Sequence, residues 1–377
     1  VQGMVMSVCK RGDKIIMPRN VHISAINALV LCGAVPVYVN PGTNDQLGIA
    51  LGMTAADVQS AIGANPDAKA VFVNNPTYYG ICSDLAAIIT IAHAHGMKVL
   101  ADEAHGTHFY FGEGLPPAAM RLGAGGSLTQ SSLLLSRGIN PGHIRQTLCL
   151  TQTTSASYLL MVSLDISRRN LALRGQEIFA RVLELAEYAR TEINKIGGYY
   201  AYSTELTADP AVHAFDRTKL SIYTRNIGLA GIEVYDILRD EYDIQIEFGD
   251  IGNILAIISV GDNELMVERL VSALYEIKRR YAKDPSGMLN TEYITPQVVL
   301  PPQEAFYGQH RFVPLGESSG KTAAEFVMCY PPGIPVLAPG ERITDQIIDY
   351  IAYAAEKGCL LAGTEDITLN TIKIVEG

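Results

Sequence analysis

The sequence is short of positive charge. Lys and Arg number 29 against 39 Asp and Glu, which gives a formal net charge of −10. Such a surface repels polyanions, which argues against nucleic acid as the main partner. The six cysteines (Cys9, Cys32, Cys82, Cys149, Cys329, Cys359) are scattered, with no C-x-x-C pair. They read as buried thiols of a reducing compartment, not as a disulfide framework. No apolar run is long enough to span a bilayer and no secretory signal is visible, so the chain reads as cytoplasmic. Internal repeats and low-complexity tracts are also missing. What is there is 377 residues, 48% hydrophobic and only 18% charged. That is the composition of a globular enzyme with room for two or three cores.

Apolar runs of strand length alternate with runs of helical periodicity. Residues 14–19 (KIIMPR), 35–39, 70–73 and 98–101 read as strands. Residues 24–32, closed by Gly33, then TAADVQSAI behind Thr54, then 83–95 read as helices. This βαβ spacing predicts an α/β fold with a doubly wound, mostly parallel sheet. Residues 1–8 look like the middle of a helix, so the chain is expected to begin inside a domain. A long amphipathic helix over 176–196 opens a second unit. Strands at 199–204, 219–224 and 254–260 with helices at 232–242 and 264–281 make it a small α+β domain. A linker at 284–302 carries Pro285, Pro296, Pro301 and Pro302. A C-terminal unit follows, with a helix at 345–356 and a last strand at 372–375. The expected domains are 1–170, 171–284 and 285–377.

The stretch KVLADEAHGTHF (98–109) carries the chemistry. Its strand ends in Asp102, and ligands of open α/β sheets sit at the C-terminal ends of strands. Asp102 and Ala104 are two apart and share one side of the strand. An acid beside a methyl group suits a flat cationic ring, and pyridoxal phosphate is such a ring. A helix cap or a loop hydrogen-bonder is the plainer reading of Asp102. His105-x-x-His108 lacks a third ligand, so no metal is expected.

Six motifs in order now carry a resemblance: GDKIIMPRNVH (12–22), NPTYYG (75–80), DEAHGTHF (102–109), LTQSSLL (128–134), LTQTTSASY (150–158) and YPPGIPVLAPGE (330–341). Together they resemble the bacterial type-I-fold ornithine/lysine/arginine decarboxylases, over essentially the whole chain. The resemblance implies a pyridoxal phosphate-binding large domain, a small α+β domain and a C-terminal α+β domain. It also implies a homodimer or higher oligomer, with pyridoxal phosphate as cofactor. The implied reaction turns arginine, lysine or ornithine into the amine and CO2, feeding polyamine synthesis. Position by position, His22 would lie on the face of the cofactor ring, although a strand-end histidine bonded to backbone is the plainer reading. The family usually has Lys next; here it is Ile23. Asp102 would pair with the ring nitrogen and favour its protonated form. Ala104 would pack against the ring, and His105 would position the substrate carboxylate or deliver a proton. Thr129 would lie near the cofactor phosphate, or be an ordinary polar residue before a strand. Glu325 is the candidate acid for the distal cation of the substrate, with a surface strand residue as its plainer reading.

One departure matters. The family's cofactor lysine stands in a Ser-x-His-Lys motif between DEAHG and LTQSS, and here Ala124 runs straight into Gly125-Gly126-Ser127. Lys98 precedes the Asp102 strand, while Lys195 and Lys219 belong to the second domain, so none replaces it. The glycine-threonine turn for the phosphate would precede Val1. Either the protein is a lysine-less, catalytically inactive binding homologue, or about ten residues are missing from the sequence, one buried strand with its end. The second is favoured, because deleting a central strand leaves backbone groups unpaired in a core. It predicts a break near Ala124–Gly125, an open place beside the Asp102 strand, and a site without its cofactor. Another type-I reaction, such as transamination, is disfavoured by YPPGIP.

Overall fold

The computed structural model describes residues 1–376 apart from 130–132, 153–154, 156, 286–293, 296 and 331–332. Its central feature is a six-stranded sheet in the order Val35–Val39, Lys14–Pro18, Ala70–Asn74, Lys98–Glu103, Gly126–Thr129, Leu133–Ser136. Lys14–Pro18 pairs in parallel with both of its neighbours, and the last two strands are antiparallel. Strands in such a sheet are covered on both faces and so read as unbroken apolar runs. Ile15, Ile16 and Met17, consecutive in sequence, are all fully buried. The predicted fold class is therefore the observed one.

The helix punctuation also follows the sequence. Ile23–Cys32 stops at Gly33, whose φ of 72° is the left-handed conformation a helix end favours. Thr54 Oγ1 accepts the backbone N–H of Asp57 at 3.1 Å and caps Ala55–Ala64. Among the described residues no helix is long and apolar enough to cross a membrane.

The expected open place beside the Asp102 strand is not there. Ala124 and Gly125 lead directly into Gly126–Thr129, which lies next to Lys98–Glu103 in the sheet. The physical reason is the unpaired edge: exposed N–H and C=O groups take the next extended segment available. Ser127 suits the place, being fully buried with its hydroxyl donating to Glu103.

Two compact units make up the chain. The first comprises Val1–Asn74, Ala87–Leu100 and Leu289–Gly377. Within it His310–Pro314 pairs antiparallel with Thr371–Val375, and Val327–Tyr330 lies between Pro335–Leu337 and Leu360–Ala362. The helix Asp345–Glu356 packs Ile347 and Ile351 into a core with Val327, Leu337 and Ile372.

The second unit comprises Asn75–Ala86 and Ala101–Met288. It holds an antiparallel sheet in the order Tyr200–Ala201, Lys219–Tyr223, Asn253–Ile257, Phe248–Gly249. Val182, Ala186, Ala189 and Ile193 of one helix and Val267, Leu270 and Leu274 of Glu264–Tyr281 join its core. The first of these helices runs Tyr158–Ile196, starting well before the expected residue 176. Gly175 lies inside it because any Cβ there would meet the Phe111 carbonyl oxygen at 2.3 Å. A glycine in mid-helix here marks close packing and not a helix end.

Candidate active site

In the second unit, the end of the Asp102 strand is a small polar turn set in apolar packing. Asp102 is 4% exposed, its carbonyl accepts from Asn75 N at 2.9 Å, and its Oδ1 accepts from Ala104 N at 3.0 Å. That last bond folds the chain back so that Ala104 and His105 follow the carboxylate closely. Glu103 points the other way, as alternate strand residues must. It is fully buried and accepts from Tyr110 Oη at 2.7 Å, Ala119 N at 2.8 Å and Ser127 Oγ. Burial pushes its carboxyl pKa up, while these three donors pull it back and Asp102 adds to the rise. Glu103 is thus an internal staple, and Asp102 is the acid at the strand end.

His105 is fixed from two sides. Its ring centroid lies 4.2 Å from that of Tyr78 at 49°, and Lys219 Nζ is 3.3 Å from its Nδ1. Lys219 arrives because Ala214–Phe215 pairs antiparallel with Ile81–Cys82, and Asp216 N donates to Gly80 O at 2.7 Å. Gly80 has φ +92°, and a Cβ on it would meet Lys219 Cγ at 3.0 Å. The loop therefore needs glycine on both counts. His108 lies next in the network, its Nε2 3.0 Å from Asp216 Oδ2. Burial alone would raise the Asp216 pKa, but His108, Lys219 and the Thr218 hydroxyl together hold it below the usual carboxylate range. Burial likewise pulls Lys219 below the ordinary lysine value, with Asp216 and Glu247 opposing. Reading the sequence missed Lys219 by assigning it to another domain; the D-x-x-K spacing from Asp216 was the only signal available.

In the first unit His22 is the N-cap of Ile23–Cys32. Its Nδ1 accepts from Ser24 N at 3.2 Å and lies 2.8 Å from Ser24 Oγ. Glu325 is 6% exposed, and its two oxygens accept backbone N–H groups of Lys373 at 2.7 Å and Glu365 at 2.8 Å. Both carboxylate oxygens are thus bound to the scaffold. Arg19, at the end of the KIIMPR strand, is a residue the sequence did not single out. Its Nε and Nη2 donate to the two oxygens of Glu341 at 2.6 and 2.8 Å, and its Nη1 donates to Pro335 O at 2.9 Å. Ile23 N donates to Gly333 O at 2.9 Å. Within this unit the C-terminal motif is therefore bound to the residues around His22. The Thr129 backbone lies in a strand, but its side chain falls outside the described residues.

Pyridoxal phosphate fits the ring-holding part of the second unit. The donor set is a buried carboxylate at a strand end, a methyl group two residues on, and a histidine held against an aromatic ring. The covalent lysine of Ser-x-His-Lys is not in the sequence.

The family described as Orn/Lys/Arg decarboxylase, major domain, matches residues 1–265, and its C-terminal domain matches residues 287–368. A protein named arginine decarboxylase from Bacillus subtilis (strain 168) is 41% identical, with all of this chain aligned to 80% of that protein. That alignment spans 391 positions against the 377 residues here, so 14 or more of its positions face gaps in this chain. The lysine decarboxylase LdcA of Pseudomonas aeruginosa is 22% identical over 92% of this chain and 62% of its own length. Among solved structures, the Francisella novicida lysine decarboxylase superposes with a TM-score of 0.81 at 21% identity, covering all of this chain and 68% of that one. An alanine–glyoxylate aminotransferase from Nostoc sp. reaches 0.53 at 14% identity, over 73% of this chain and 78% of that one. The two structural matches show the fold.

Proposed function

The chain belongs to the ornithine/lysine/arginine decarboxylase family, and from that premise we propose that it decarboxylates a basic amino acid, arginine first among the candidates. The observation that carries this reading is the buried Asp102 carboxylate at its strand end, with Ala104 and His105 two and three residues on. When bound, pyridoxal phosphate supplies the electron sink for the bond that breaks at the substrate α-carbon. Asp102 keeps the proton on the cofactor's ring nitrogen, because a nearby negative charge favours the charged ring. Ala104 leaves room for the ring face. His105 orients the substrate carboxylate or returns a proton to the α-carbon. From the resemblance come the ring-face role of His22, the phosphate-side role of Thr129 and the assignment of the substrate's distal cation to Glu325. A cytoplasmic location, supply of amine to polyamine synthesis and the division at 1–170, 171–284 and 285–377 belong to the same reading. Incubating the protein and pyridoxal phosphate with arginine, lysine and ornithine in parallel should release CO2 and one amine, agmatine from arginine. No amine from any of the three would refute the proposal.

A second reading is favoured by one specific observation. Gly126–Thr129 fills the place beside the Asp102 strand, and no lysine lies between Ala124 and Leu133. A chain so closed would hold amino acid or cofactor without turning it over. Binding of cofactor with no product in the same assay would identify that case.

The assembly proposed is a homodimer. Tyr158, Leu159 and Leu160 open their helix 80%, 84% and 67% exposed, and Met161, Val162 and Ile166 continue the apolar surface. A contiguous patch of this kind marks a protein interface, and a symmetric second copy is the simplest cover. The pair should bury more than about 2,000 Å². Light scattering at micromolar concentration should return twice the chain mass of 40.8 kDa or a multiple of it. A monomer would exclude this assembly.

A further inference from the structure

We propose that Lys219 is a positioning residue that holds His105 as a neutral imidazole with its proton on Nε2. An ammonium group has three donors and no acceptor. Lys219 Nζ is 3.3 Å from His105 Nδ1. Nδ1 must therefore present its lone pair, and the ring proton resides on Nε2. A second positive charge on the ring is disfavoured, since two cations in contact within a buried site repel strongly.

The lysine is built into place. It is 2% exposed. Arg190 Nη2 donates to its carbonyl at 3.0 Å, and the side-chain stem lies where only a glycine at position 80 leaves room. Its counter-charges are Asp216 and Glu247. Asp216 is itself held as a carboxylate by His108 at 3.0 Å, the Thr218 hydroxyl at 2.8 Å and the Thr218 N–H at 3.1 Å. These negative charges favour the ammonium and oppose the burial that pulls the lysine pKa down. Tyr78 sets the plane of the His105 ring from another side.

The consequence is a directed donor. An Nε2–H can bond a substrate carboxylate or pass a proton, whereas the opposite tautomer would offer a lone pair there. This use of the donor rests on the proposed function; the tautomer does not, and it is measured without substrate or cofactor. Histidine-selective ¹⁵N labelling gives the tautomer of each of the 8 histidines, with His105 assigned by its loss in His105→Asn. The wild-type ring should be neutral and Nε2-protonated near pH 7. In Lys219→Met it should lose its tautomer preference. Lys219→Arg, which restores a donor, should recover the wild-type signature. With a turning-over enzyme, Lys219→Met should lower kcat by about 10²-fold and leave KM within about twofold. Should the Met variant not fold, the wild-type spectrum alone decides. An Nδ1–H or doubly protonated His105 in the wild type overturns the proposal, as does an unchanged signature in the Met variant. Borohydride trapping of pyridoxal phosphate on Lys219, read by peptide mass, also overturns it, because Lys219 would then be a covalent anchor. Failure of the decarboxylase assay leaves the spectrum readable, so the two failures are distinct.

Discussion

Asp102→Asn should fold normally, bind cofactor more weakly and lose decarboxylation by about two to three orders of magnitude. Asparagine keeps the shape and can still hydrogen-bond, but it removes the charge that holds the ring nitrogen protonated. Loss of a single preorganised electrostatic contact at a reacting centre costs about 10²–10³ in rate. The backbone contact that shapes the turn should survive, because the amide oxygen can accept from Ala104 N as Oδ1 does now at 3.0 Å. An unchanged thermal midpoint with a collapsed kcat is therefore the expected pair of results. Near-normal turnover would remove Asp102 from the mechanism.

Glu341→Ala should be among the most damaging single changes to stability. Arg19 is 3% exposed and Glu341 2%, and the guanidinium meets both carboxylate oxygens. Removing one partner strands a buried charge, which costs about 3–5 kcal/mol. The same change frees Ala338 N, which now donates to Glu341 Oε2 at 2.8 Å. Chemical denaturation should show the midpoint falling steeply for Glu341→Ala and for Arg19→Met. The double variant Arg19→Met/Glu341→Leu should be less damaged than the sum, since neither charge remains. A loss under about 1 kcal/mol in Glu341→Ala would mean that water already reaches the pair.

Local features of the sequence determined the parallel sheet, because strands covered on both faces must be apolar throughout and Ile15, Ile16 and Met17 are. The caps followed for the same kind of reason: Thr54 and Gly33 act on backbone within one turn of themselves. Asp102 was legible as the acid at a strand end, since alternation along a strand is a property of adjacent residues. Contacts between distant residues were not legible. Lys219 meets His105 across 114 positions, and Arg19 meets Glu341 across 322. Each pairing depends on which strands lie side by side, and hydrophobic periodicity carries no record of that. The same limit applies to Glu325, whose two oxygens are taken by the backbone N–H groups of Glu365 and Lys373, 40 and 48 positions away. It applies most of all to Gly126–Thr129: the resemblance led to the expectation of a further strand before it, but only sheet pairing decided that this segment lies beside Lys98–Glu103, because open backbone donors and acceptors must be satisfied by whatever extended chain is nearest.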